Sequence, residues 1–291
     1  MESPSDRILK DYVYYLRMER RMSPNTVAAY SRDVAAFLNG RDCADIEAGD
    51  VRDYLSAHSD SVSKRSQARF LSSLRSFFDW TVIEGLRADN PCDGVDSPKL
   101  GRYLPQVLSV DEVAAIIDSV PTRGWNGVRD RAILEILYGC GLRVSELCGL
   151  RISHVYASEG FVRVVGKGDK ERLVPIGGMA VEAFGEWMAL RPEPALPEFD
   201  DIAFLNRFGR PLSRVSVFNM IKKQALVAGI NKEISPHTFR HSFATHLVEN
   251  GADLRIVQEM LGHESILTTE IYTHINAGTW QAAVLDHHPR K

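Results

Sequence analysis

With 291 residues, of which 44% are hydrophobic and 25% charged, the chain is long enough for two globular domains and for a sizeable core without covalent staples. Charges interrupt the N-terminal stretch every few residues, and no later segment approaches the roughly 20 uncharged apolar residues a membrane-spanning helix needs. A membrane role is thereby excluded and a soluble, cytoplasmic protein is expected; the net charge of −3 argues weakly against a nucleic-acid partner and makes local basic clusters more informative than the sum.

Residues 1–90 read as roughly four helices. Ser23-Pro24 is an N-cap followed by proline at the first helical position, and Val27, Tyr30, Val34, Phe37 and Leu38 then recur at helical spacing. In the last of these helices Phe70, Leu71, Leu74, Phe77, Phe78 and Val82 form the apolar stripe. From Ser61 to Phe78 it carries Lys64, Arg65, Arg69 and Arg75 and no acid, with Arg65 and Arg69 four apart on one face. A solvated helix surface explains such a cluster as readily as a partner does. The periodicity stops between about Ala88 and Leu108, where Pro91, Pro98, Pro105, Gly94 and Gly101 predict a partly stiff linker over 91–108. The domains are therefore expected at 1–90 and 109–291.

Ser109-Val-Asp-Glu112 is a capping box that opens the second domain. Helical spacing follows from about Trp125 to Tyr138. Two β-like runs, Phe161–Val165 and Arg172–Ile176, flank the turn Gly166-Lys167-Gly168-Asp169 and predict a hairpin. Helices are expected again near Val181–Leu190 and Val215–Ala228, and from Ser235-Pro236 to Asn250-Gly251. The four cysteines, Cys43, Cys92, Cys140 and Cys148, form no Cys-x-x-Cys pair and read as reduced, mostly buried thiols.

Three polar segments of the second domain could carry chemistry. In Gly141-Leu-Arg143-Val-Ser-Glu146-Leu147, the arginine and the acid are three apart, so one helical turn lets the carboxylate orient the guanidinium. A surface ion pair gives the same spacing. In His237-Thr-Phe-Arg240-His241, His237 and Arg240 share a face just inside a helix N-terminus, where the dipole disfavours a further positive charge and an imidazole suits a base or hydrogen-bond partner. His241 and His246 fall elsewhere on that helix and suit packing or surface. The third segment is Leu261-Gly262-His263-Glu264, with Tyr272 nine positions after the histidine; by spacing alone that tyrosine is a packing residue.

Together with Lys167 of the hairpin turn, the segments offer two arginines, two histidines and a lysine. No carboxylate cluster stands beside them to hold a divalent metal, no His-Glu-x-x-His spacing occurs, and no Gly-x-x-x-x-Gly-Lys-Ser/Thr loop is present for a nucleoside triphosphate. Arginine forks that stabilise a pentavalent phosphate without a metal require a side-chain nucleophile, for which Tyr272 is the candidate.

The sets Gly141-Leu-Arg143-Val-Ser-Glu146-Leu, His237-x-x-Arg240-His-Ser-Phe-Ala-Thr-His-Leu and Leu-Gly-His263-x8-Tyr272-Thr-His resemble the catalytic boxes of the tyrosine recombinases, specifically the bacterial Xer proteins. The resemblance extends over nearly the whole chain. It implies a mainly α fold with a small antiparallel β-sheet in the catalytic domain, the two domains forming a C-shaped clamp on duplex DNA. It implies that Arg143 and Arg240 clamp the scissile phosphate, that Lys167 is general acid to the leaving 5′-hydroxyl, and that His237 assists proton transfer. His263 would contact a phosphate oxygen, Tyr272 would be the nucleophile, and Glu146 would hold the site in order from behind. Lys64, Arg65, Arg69 and Arg75 gain a role in DNA contact, and neither cofactor nor metal is implied.

Partners implied are a double-stranded recombination site, a second similar recombinase or further copies in a tetramer on two sites, and a septal DNA translocase. In that assembly the segment Asn276–Lys291, with Trp280, Ala283, Val284 and Leu285, would dock on a neighbour; packing on its own domain fits those residues equally. Acids slightly outnumber bases in both halves, so a basic channel inside acidic outer surfaces is expected. The implied function is resolution of chromosome dimers at a dif-like site. A phage or mobile-element integrase, a type IB topoisomerase and a non-catalytic DNA-binding regulator are the alternatives; the short chain, with no added arm-binding domain, favours the first reading.

Overall fold

The computed structural model describes residues 4–59, 61–99, 106–166, 170–262, 284 and 286–290. The chain divides into two units, Met1–Tyr103 and Leu104–Lys291, each with its own core.

Unit one contains α1 (Pro4–Met18), α2 (Pro24–Leu38), α3 (Ala48–Ala57) and α4 (Lys64–Ile83). Ser23 caps α2, its hydroxyl accepting from the Thr26 backbone N–H at 3.3 Å. The apolar stripes seen in the sequence become the core: Leu16 of α1, Val34 and Phe37 of α2, and Leu71, Leu74, Phe77 and Phe78 of α4 are buried together. Each such side chain contributes about 1.5–3 kcal/mol by leaving water. Tyr12 meets Phe77 edge to face with ring centroids 5.1 Å apart. A polar latch adds direction, since the buried Asp33 of α2 pairs with Arg69 and accepts from Ser73 Oγ, both on α4.

Unit two begins with α5 (Val110–Asp118), whose capping box forms as the sequence predicts: Glu112 N donates to Ser109 Oγ at 3.1 Å and Ser109 N to Glu112 Oε2 at 2.8 Å. Next come α6 (Trp125–Gly139) and the single turn α7 (Val144–Cys148), then β1 (Val155–Tyr156), β2 (Phe161–Val165) and β3 (Glu171–Pro175). The remaining helices are α8 (Gly178–Leu190), α9 (Arg214–Val227), α10 (Pro236–Glu249) and α11 (Leu254–Leu261). Helix α6 is buried without interruption from Ala132 to Gly139, as expected for a helix apolar on nearly all sides with others packed around it.

The three strands form an antiparallel sheet in the order β1-β2-β3, with Val162 opposite Val174 and Val164 opposite Arg172. The hairpin is thus found, β3 lying one residue earlier than the apolar pattern suggests. The period-two pleat sends Arg172 and Val174 inward and Leu173 outward. Gly166 N donates to Lys170 O at 2.8 Å where the strands meet the turn.

At the far end Val284 joins the core and His288 is buried, while Arg290 reaches Glu135 of α6 at 2.6 Å. These C-terminal residues therefore pack on their own unit; Trp280, Ala283 and Leu285 lie outside the described residues. Cys43, Cys92 and Cys140 are buried free thiols and Cys148 a half-buried one. Burial pushes Cys92 and Cys140 up to about 12. Among the described residues no helix is long and apolar enough to cross a membrane.

Candidate active site

The turn after α6 sets the first part of the site. Gly141 takes φ +58°, and a Cβ there would meet the Phe243 ring at 2.5 Å. Only glycine satisfies both the left-handed backbone and the close approach of α10. The chain then turns so that Arg143 is the N-cap of α7, one helical turn before Glu146.

Glu146 lies at the centre of three arginines. Its side chain is 3% exposed, and Arg143 reaches it twice, through its backbone N–H to Oε2 at 2.8 Å and its Nη1 to Oε1 at 2.8 Å. Arg172 of β3 donates through both terminal nitrogens, Nη1 to Oε1 and Nη2 to Oε2, each at 2.8 Å. Arg240 of α10 stands 4.0 Å away. Burial pushes the Glu146 carboxyl up; the hydrogen bonds and charge of Arg172, joined by Arg143, outweigh it and hold the group below the usual carboxylate range. It is a fixed negative charge at neutral pH.

Arg240 is buried and held by two carbonyls, its Nη1 donating to Gly141 O at 2.7 Å and its Nη2 to Leu261 O. Burial, then the charge of Arg143, pulls its guanidinium down to about 10, with Glu146 acting in the opposite sense. It stays protonated at neutral pH. Arg143 has a side chain 36% exposed, so its donors are accessible from solvent, and its Nη2 also reaches Gly262 O at 3.2 Å. Gly262 closes α11 at φ +62°, the left-handed cap after which the chain continues to His263.

The site therefore joins Arg143, Glu146 and Arg240 from two of the three polar segments, and the backbone of Leu261 and Gly262 supplies the third. His237 is exposed in the first turn of α10, one turn before Arg240. His241 is exposed too, whereas His246 is buried with its Nδ1 2.8 Å from Tyr138 Oη. Lys167, His263 and Tyr272 lie outside the described residues. In unit one Lys64 and Arg65 are exposed at the start of α4. Arg69 is tied to Asp33, and Arg75 donates to Val95 O at 2.5 Å and Ser97 Oγ at 3.1 Å.

Arg172 is the residue the sequence reading missed. Its signal was present: an arginine at an inward pleat position between Glu171 and Leu173, where Val162 and Val164 of the neighbouring strand are buried. A charge on the buried face of a strand needs a partner.

Three converging guanidinium groups around one carboxylate leave a surplus of two positive charges. Such a set can bind a phosphodiester and stabilise the further negative charge of a pentavalent phosphorus.

Residues 106–278 match the phage integrase family, and residues 9–85 match the phage integrase N-terminal SAM-like domain. The chain is 44% identical over 300 residues to a tyrosine recombinase XerD of Chlorobaculum tepidum, covering 99% of this chain and 98% of that protein. The crystal structure of XerA recombinase is 31% identical with a TM-score of 0.52, covering 99% of this chain and 100% of that one. The site-specific recombinase XerH, in a post-cleavage complex with a palindromic difH substrate, shares the fold at 22% identity with a TM-score of 0.70, over 94% of this chain and 83% of that one.

Proposed function

The chain belongs to the phage integrase family and is a Xer-type tyrosine recombinase, an enzyme of site-specific DNA strand exchange; on that premise we propose that it resolves chromosome dimers at a dif-like site through a phosphotyrosyl link to Tyr272. The observation that carries the chemistry is the convergence of Arg143 and Arg240 on the buried Glu146. The carboxylate orients the Arg143 guanidinium and lies 4.0 Å from that of Arg240, and the accessible donors of Arg143 are available to a scissile phosphate.

In the proposed reaction the Tyr272 phenol oxygen attacks phosphorus while the bond to O5′ breaks. The phenol proton passes toward His237, Lys167 supplies a proton to the leaving 5′-oxygen, and His263 bonds a non-bridging oxygen. The product is a 3′-phosphotyrosyl ester and a free 5′-hydroxyl. Tyrosine ordinarily ionises near pH 10, so a base or cationic surroundings must assist it at neutral pH. The ester keeps the energy of the phosphodiester, and attack by a 5′-hydroxyl of the partner duplex rejoins the strands without ATP.

Duplex DNA is the partner class; the finer expectations are a tetramer on two sites, a second recombinase and a septal translocase. In unit one, Lys64 and Arg65 are proposed to contact phosphates from the start of α4. Arg69 and Arg75, which also donate to Asp33 and to Val95 O, are proposed to contact phosphates with their remaining donors. The test is a plasmid carrying two directly repeated dif-like sites from the source chromosome, incubated with the protein, alone and with a second recombinase from the same source, in chelator without ATP. Two separate circles support the reading. An unchanged plasmid under both conditions, with the protein bound to its site, removes it.

A further inference from the structure

We propose that Arg172 is a positioning residue of strand cleavage, anchoring Glu146 at two points so that Arg143 and Arg240 are held with donors available to phosphate. This rests on the recombinase reading and extends it to a residue outside the three catalytic boxes. Among the described residues, Glu146 is faced by Arg143 at the start of α7, Arg172 from β3 and Arg240 from α10. Arg172 places one nitrogen on each carboxylate oxygen and its Nε on Met260 O of α11, at 2.8 Å in each case. Five donors in a rigid fork permit this; lysine, with one nitrogen, cannot replace it.

The position of Arg172 matters as much as its bonds. A Cβ added to Gly262 would meet its side chain at 3.4 Å, and one added to Gly166 would lie 3.6 Å from its Nη1. Gly166 immediately precedes Lys167, and Gly262 immediately precedes His263. The Arg172 side chain thus lies beside the two glycines that precede two catalytic candidates, and it bonds the carboxylate that holds Arg143 and stands 4.0 Å from Arg240. Without Arg172, Glu146 would lose its two-point partner and turn toward Arg143 and Arg240, drawing their donors away from the phosphate. Burial, no longer opposed by Arg172, would push its carboxyl up.

The experiment compares full-length wild type, Arg172→Gln, Arg172→Lys, Glu146→Gln and the Arg172→Gln/Glu146→Gln pair. It reads single-turnover cleavage of a nicked duplex carrying the dif-like site, across pH, beside DNA affinity and far-ultraviolet circular dichroism. Both Arg172 variants should bind DNA with affinity near wild type and cleave about 10- to 100-fold more slowly, the scale expected when reacting groups are misplaced by about an ångström. The acid limb of cleavage should move to higher pH in Arg172→Gln. The pair should be no slower than Arg172→Gln alone, because the two residues act as one unit. Folded variants with the wild-type rate and acid limb, or rate losses that multiply in the pair, overturn the proposal. If Arg172→Gln does not fold, Arg172→Lys decides by its rate. Absence of cleavage by the wild type would count against the recombinase reading itself, so the two failures are distinguishable.

Discussion

Replacing Arg290 with alanine should destabilise the second unit by about 3 kcal/mol, the lower end of the range for breaking a buried ion pair. Glu135 lies on α6 with its side chain 2% exposed, and Arg290 donates to both of its oxygens, at 2.6 and 3.2 Å. Alanine leaves that carboxylate buried without its two-point partner. The lower end applies because Arg290 is 13% exposed, so water can reach part of the pair. For a unit of this size the loss corresponds to a melting shift of roughly 6–12 °C. Calorimetry of Arg290→Ala, Glu135→Gln and the pair gives the coupling directly, and the neutral amide should recover most of the loss. A shift below about 2 °C for Arg290→Ala, or additive effects in the pair, would refute the buried-pair reasoning. The number also bears on assembly. If the C-terminal segment passes to a neighbour, that neighbour's segment must supply an equivalent cation to Glu135.

Three further outcomes are expected. Burial pushes the His288 imidazole from its ordinary 6.5 down to about 4. Between those values the unfolded chain binds a proton that the folded one does not, so docking of the C-terminal residues is fully stable above about pH 6.5 and weakens as pH falls toward 4. Limited proteolysis at pH 7.5 and 5 should show this, and His288→Phe should reduce the difference; an unchanged difference would exclude His288 as its source. Gly141→Ala should cost about 2–4 kcal/mol, from left-handed strain and the clash with Phe243, and should slow cleavage by moving the carbonyl that holds Arg240; a stability within 0.5 kcal/mol of wild type, on the order of measurement scatter, contradicts the turn geometry. Arg143→Ala should lower single-turnover cleavage by at least about 10²–10³-fold while DNA binding persists, and a wild-type rate would remove it from the site.

The sequence carried the architecture wherever a local rule had one solution. Ser23-Pro24 and Ser109 to Glu112 are caps by chemistry, and both open helices. The apolar run of α4 and the hairpin pattern around Gly166 likewise have one reading each. Helix α11 went unread although Asp253 caps it locally, and the other elements not foretold are short. Helix α7 is a single turn, too brief to show a period, and β1 has two residues. Arg143 and Glu146 were legible as an i,i+3 pair, but spacing could not distinguish a surface pair from a buried one; the deciding fact is that Arg172, distant in sequence, covers the carboxylate from β3. Spacing puts Arg65 and Arg69 on one face of α4 but not their partners: Arg69 pairs with Asp33 and Arg75 with Val95 O, because pairing depends on which segments pack together.

The proposed reaction turns on Tyr272 as the residue that forms the covalent link to DNA. A nicked suicide duplex carrying the dif-like site, incubated with wild type or Tyr272→Phe, with and without a second recombinase, and resolved under denaturing conditions, tests it most directly. The wild type should give a protein–DNA adduct mapping to the peptide that contains Tyr272, and the phenylalanine variant none. An adduct that persists in Tyr272→Phe would contradict the assignment of the nucleophile, and tight, specific binding by the wild type with no adduct in either condition would contradict the reaction itself.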